Sequence, residues 1–186
     1  MGSLQTFHEI WGHEDDKPAP ITAENLQAVE TRLGIALPQD YRTQILGFGI
    51  PNTTSKLWEW LDNNKGIGET WSLARPRPHL MEFYTPEKML NTLNLRLVRM
   101  PASLLPFARD SQGNQICFDL GDLTPPSSRN AGVYVWDHAT NHTWKLSRSF
   151  DAFVRLYLPK KNTFRPAKAL ALPVADRAML IPKSSQ

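Results

Sequence analysis

Cysteine is nearly absent from this 186-residue chain: Cys117 stands alone, which excludes an intramolecular disulfide framework and a multi-thiolate zinc site. Long apolar runs are missing too. None approaches the roughly 18 residues of a membrane span, so no membrane partner is expected. The first sixteen residues lack the basic-then-apolar order of a signal peptide. Together with the single thiol, this predicts a reducing, cytoplasmic setting. Charge of one sign is also in short supply, with 21 Lys and Arg against 18 Asp and Glu. Beyond Pro159 six basic residues (Lys160, Lys161, Arg165, Lys168, Arg177, Lys183) face one acidic residue, Asp176, a balance of +5. The whole chain carries +3, so residues 1–158 carry −2. A near-neutral body with a basic, Pro-punctuated tail argues against a nucleic-acid partner, because such a tail is more often a solvated extension than a phosphate-binding face.

What is present suits a self-supporting core. Apolar residues make up 41% of the chain and include six Trp. A domain of about 150 residues buries roughly 70% of the surface its unfolded chain exposes. The expected organisation is a polar lead over residues 1–20, one domain over 21–158 and a C-terminal extension over 159–186. The lead carries the acidic cluster Glu14-Asp15-Asp16 and closes on Lys17-Pro18-Ala19-Pro20, with the first regular element expected after it. Thr22 then caps a helix with Leu26, Ala28, Val29 and Leu33 at helical spacing, and Gly34 supplies the left-handed residue that ends it. Pro38 and Asp40 suit the start of a second helix with Tyr41, Ile45 and Phe48 on one face, ended by Gly47 or Gly49.

Residues 50–100 are the least legible, apart from a short helix opened by Thr85-Pro86-Glu87. Alternation returns after Pro101. Leu104 to Ala108 reads as a strand, Asp110 to Asn114 as a turn, and Ile116, Phe118 and Leu120 as one face of the returning strand. Val133 and Val135 mark another strand, which Asp137 to His142 turn back into Thr143 to Leu146. Ser149 caps a last helix with Phe150, Phe153, Val154 and Tyr157 at i, i+3, i+4 and i+7. Helices around an antiparallel meander predict an α+β fold in a single domain.

Three blocks, in this order, resemble the SUKH superfamily. The first is Val29-Glu30 with Leu33-Gly34-Ile35-Ala36-Leu37-Pro38-Gln39-Asp40-Tyr41. The second runs from Leu105-Pro106-Phe107-Ala108-Arg109-Asp110 through Gly113-Asn114 to Phe118-Asp119-Leu120. The third is Gly132-Val133-Tyr134-Val135-Trp136-Asp137-His138 with Ser149-Phe150-Asp151-Ala152-Phe153. One departure is Gly47-Phe48-Gly49, where the family commonly has Asn-Gly-Gly. The middle block is unmatched, so a partner surface there would be particular to this protein. The resemblance implies an antiparallel sheet flanked by helices, no enzyme activity, no cofactor, and a protein partner. Bacterial members bind and neutralise a toxin encoded beside them, while the yeast members regulate cell-wall synthesis. Immunity against a cognate toxin domain and a regulatory interaction module are therefore both implied, and the basic tail adds nucleic-acid binding as a third reading.

The residues offer little chemistry of their own. His138 and His142 are four apart but lie in strand and turn material, so they do not share a helix face as a metal pair would. Asp137 beside His138 has no nucleophile in a motif context. Cys117 points away from Ile116 and Phe118 and reads as a packed thiol. Partner contacts fall instead on Trp58, Glu59, Trp60 and Trp71, with Asp110, Asn114, Asp137 and His138 at the two turns. If Leu57 to Leu61 is extended, both tryptophans share a side, either as core or as exposed anchors of the type enriched in interface hot spots. Leu37, Tyr41, Phe118, Val135, Phe150 and Phe153 are the expected core.

Overall fold

The computed structural model describes residues 2–13, 15–63, 77–123 and 131–159. Among them the chain forms α1 (Ser3–Trp11), α2 (Ala23–Leu33), α3 (Gln39–Phe48), α4 (Ser55–Asn63), β1 (Leu80–Phe83) and α5 (Pro86–Thr92). A 3-10 segment (Leu93–Val98) follows, then β2 (Leu104–Asp110), β3 (Gln115–Asp119), β4 (Val133–Asp137), β5 (His142–Ser147) and α6 (Phe150–Arg155). The five strands form one antiparallel sheet in sequence order, β1 to β5, so the fold is α+β.

Local chemistry sets the helix ends. Thr22 and Asn25 close a reciprocal capping box at α2, and Gly34 ends it with φ 65. Thr85 caps α5 through Lys88 N, and Ser149 caps α6 through Ala152 N. Gly49, at φ 90, closes α3, where a Cβ would meet the Ala19 carbonyl oxygen at 2.6 Å. Asp40 joins two helices: one oxygen accepts from Tyr41 N and the other from Asp151 N at the start of α6, both at 2.9 Å. A carboxylate there also opposes the positive end of α6.

Strand alternation gives the sheet two different faces. Leu105, Phe107, Ile116, Phe118 and Val133 enter the main core under the helices. Leu104, Cys117 and Trp136 point the other way, into a small cluster with Met100 and half-buried Leu95 of the 3-10 segment. In the main core Phe107 stacks on Phe118 at 4.3 Å, and Tyr41 meets Phe150 edge-on at 5.0 Å and Phe118 at 5.4 Å. The six expected core residues are all buried.

Two expectations are corrected, on residues 1–20 and Ala28, and the open conformation of Leu57 to Leu61 is settled. Residues 1–20 are not merely a polar lead: Leu4, Phe7 and Trp11, at i, i+3 and i+7, bury one face of α1 in the main core. The helix is fastened by Gln44, whose Oε1 accepts from Leu4 N at 2.8 Å and Ser3 Oγ at 3.0 Å, and by Trp11 Nε1 donating to the Tyr157 carbonyl at 2.8 Å. Leu57 to Leu61 is helical, because Leu57 and Leu61 form an i, i+4 buried stripe. Ala28 is exposed on α2, whose buried stripe is Leu26 and Val29. The four expected strands differ only at their ends, where β2 runs on to Asp110, β3 stops before Leu120, and β5 takes in His142 and Ser147, while β1 was not expected from the sequence.

Candidate functional site

At one end of the sheet the β2–β3 and β4–β5 turns lie side by side and gather three of the expected contact residues. Asp110, 5% exposed, accepts from Gln112 N and Asn114 N through Oδ1 and from Asn114 Nδ2 through Oδ2, each at 2.9 Å. Asn114 Oδ1 lies 3.2 Å from His138 Nδ1, joining the two turns. Gly113 takes φ 89 beside the same imidazole, and a Cβ there would touch His138 Cε1 at 3.4 Å. Beneath them Tyr84 donates its hydroxyl to Gln115 Oε1, and Gln115 Nε2 donates to the Gly113 carbonyl, both at 2.8 Å. Burial raises the Tyr84 hydroxyl to about 12, so it stays a neutral donor. Asp110 and Asn114 are thus builders of the turn, and His138 is the member left exposed.

Asp137 builds the neighbouring turn, accepting from Thr140 Oγ1 and Ala139 N at 2.8 Å and from Thr140 N at 3.2 Å. The Thr140 hydroxyl is the main reason its carboxyl lies below the ordinary range. Asn141, at φ 57, completes this turn and accepts from Trp136 Nε1 at 2.9 Å. His142 is in β5, with its ring over Trp144. Among the described residues no group of three or more His, Cys, Asp or Glu could hold a metal ion.

The tryptophans of α4 are both engaged within the fold. Trp58 donates its indole N–H to the Leu80 carbonyl at 3.1 Å and lies 6.4 Å from the His79 ring. The His79 carbonyl accepts from Ser111 N at 2.9 Å, so α4 is tied through residues 79–80 to the Asp110 turn. Trp60, two residues on, points elsewhere: it packs on Trp11 at 5.1 Å, with the Arg77 guanidinium 5.0 Å over its ring. Both side chains are half-buried against the main core, while Glu59 is exposed. Trp71 lies outside the described residues, as does the extension beyond Pro159. Ser111, Gln112, His138 and Thr140 are exposed on the two turns, and Glu59 and Asp62 are exposed on α4.

Sequence reasoning missed a second surface. The 3-10 segment lays Leu95 over Cys117 and Trp136 and turns Leu97 and Val98 outward, 86% and 61% exposed. Arg99 follows at φ 104, a left-handed residue that is not glycine. Arg96 donates from Nη2 to the Leu104 carbonyl at 2.8 Å. The signal was the composition of Leu93-Asn94-Leu95-Arg96-Leu97-Val98-Arg99, which holds more aliphatic residues than one face of a short helix can bury. Beneath it, burial pushes the Cys117 thiol well above its ordinary value, against the pull of Arg96, so it is a neutral packed group.

No described helix is long and apolar enough to cross a membrane. Comparison with known proteins gives a similarity to an SPbeta prophage-derived uncharacterized protein, YokK, of Bacillus subtilis (strain 168). The two are 26% identical over 151 residues, covering 74% of each chain. Residues 20–156, containing every described strand and all described helices but α1, match the SMI1/KNR4 family (SUKH-1). With its motifs on the elements that the sequence assigned to them, the chain belongs to that family.

Proposed function

We propose that the protein is a cytoplasmic immunity protein that binds a cognate toxin domain and neutralises it by protein–protein contact, without cofactor or turnover. Membership of the SUKH-1 family carries the reading. The geometry suits it: Asp110 uses both carboxylate oxygens and Asn114 its amide N–H to build their own turn, while Asn114 Oδ1 faces His138 of the next. The similarity to a prophage-derived protein suits a gene that travels with mobile elements. Neutralisation calls for an affinity on the order of nanomolar, about −12 kcal/mol, over roughly 800 Å² of each partner. The binding unit runs from Ser3 to Leu158, since α1 completes its core, and the basic stretch 159–186 is an extension of it.

The test is co-expression with toxin domains encoded beside this gene. The toxin alone should stop growth, and the toxin with this protein should not. Growth arrest that persists despite a stable, purified complex would refute neutralisation and favour a regulatory interaction module.

A further inference from the structure

Building on that reading, we infer that Leu97, Val98 and Arg99 form a preorganised anchor for an apolar pocket with an acidic rim on the bound toxin. Among the described residues Leu97 and Val98 are the most exposed large apolar side chains, and they are adjacent. They stand on a fixed base. The Leu95 carbonyl accepts from both Arg99 N and Met100 N, Arg96 is tied to the Leu104 carbonyl, and Met100 is buried against Leu104, Cys117 and Trp136. A partner that covers this turn therefore orders little that is not ordered already, which lowers the cost of binding.

The backbone points the same way. Arg99 holds a conformation that glycine would adopt freely, and such strain persists where the surroundings impose it and gathers at functional positions. Keeping arginine there places a cation beside the exposed aliphatic pair. From Asn94 to Ser103 the chain has two arginines and no carboxylate, so the complement is acidic. A second copy of this chain fits poorly, because a two-fold contact would bring Arg99 towards its own equivalent. A lipid surface fits poorly too, since one Leu and one Val bury fewer methylene groups than a myristoyl chain, which by itself anchors only marginally. The turn also lies outside the three sequence blocks that carry the family resemblance, as a surface selecting one toxin among many would.

The experiment uses the full chain and the purified toxin domain that it rescues. Leu97→Asp and Arg99→Glu, both at exposed positions, should keep the wild-type melting profile and weaken toxin binding about tenfold or more each. Arg99→Gly should weaken it as well, and wild-type binding should fall as salt is raised. Affinities within about twofold of wild type for Leu97→Asp and Arg99→Glu, with rescue intact, overturn the anchor and leave the immunity reading standing. Absence of rescue by the wild-type chain overturns both. Dimers in sedimentation, or cosedimentation with phosphatidylglycerol vesicles, that Leu97→Asp abolishes would assign the turn to self-association or to lipid and overturn the proposal equally.

Discussion

Phe7→Ala tests whether α1 is part of the core. The Phe7 ring is fully buried, 5.7 Å from Phe83 and 6.4 Å from Tyr157, edge-on to both. Its neighbours on α1, Leu4 and Trp11, are fixed by hydrogen bonds to Gln44 of α3 and to the Tyr157 carbonyl just past α6, so the helix cannot slide to fill the space. Removing the ring should therefore cost about 3 to 5 kcal/mol, as for other buried phenylalanines. That is a large share of the 5 to 15 kcal/mol that holds a typical domain. In a domain of this size it lowers the melting temperature by about 6 to 20 °C. Urea unfolding of the full chain, followed by tryptophan fluorescence, reads the change as a shift in midpoint at unchanged slope. A loss below about 0.5 kcal/mol would show that α1 does not hold its place against the sheet, and that residues 1–20 are a lead after all.

Further changes test other parts of the structure. Phe153→Ala should cost a similar 3 to 5 kcal/mol, since its ring lies 5.5 Å from Phe107 and 5.4 Å from Tyr157; a melting temperature lowered by only a degree or two in a thermal scan would misplace the α6 stripe. Asp110→Ala should cost about 2 to 3 kcal/mol, because it strips the acceptor from Asn114 N and Nδ2 in a buried turn, whereas Asp110→Asn, which keeps one acceptor oxygen, should cost about half that. Arg99→Gly should stabilise the protein by about 1 kcal/mol by relieving the left-handed φ; a loss of stability would mean that no strain is held there. Asp151 is subject to burial, which raises its pKa, but hydrogen bonds and charge from Arg155, with Ser3 and Gln44, hold it below the ordinary 3.8. A carboxylate depressed in the folded state gives stability that is present above its unfolded value and lost as pH falls through its folded one. The Asp151→Asn variant should therefore lose less stability than wild type between about pH 4 and pH 2, and equal acid sensitivity would refute that contribution.

The legible parts of the fold are those where local chemistry and tertiary environment agree. Thr22, Gly34 and Ser149 announced helix ends that need no distant partner, and alternation from Leu104 to Ser147 announced strands whose two faces meet different surroundings. The illegible parts depend on distant groups. Ser3 to Trp11 has a helical stripe, but its start is satisfied by Gln44, forty residues away, and no sequence window shows that. Trp58 and Trp60 alternate like strand residues, yet Leu57 and Leu61 decide the segment by burying an i, i+4 pair. The site shows the same dependence on context. Asp110 and Asn114 have the residue types of a binding surface, but turn-forming Asp and Asn look identical in sequence, and only the hydrogen bonds separate the two roles.

The same separation says where recognition can change without loss of the fold. A side chain that completes a buried turn has two tasks if it also meets a partner, so substitutions at Asp110 or Asn114 alter stability before they alter specificity. Leu97, Val98 and Arg99 carry no such double duty: their base is held by backbone bonds to the Leu95 carbonyl and by Met100 beneath, none of which involves their side chains. These three positions can vary in charge and shape while the sheet, the capped helices and the buried aromatic cluster stay as they are. The proposed immunity role requires a surface that can change with its partner while the fold stays as it is. A turn whose side chains the fold does not need meets that demand more readily than side chains that also build the hydrogen-bonded end of the sheet.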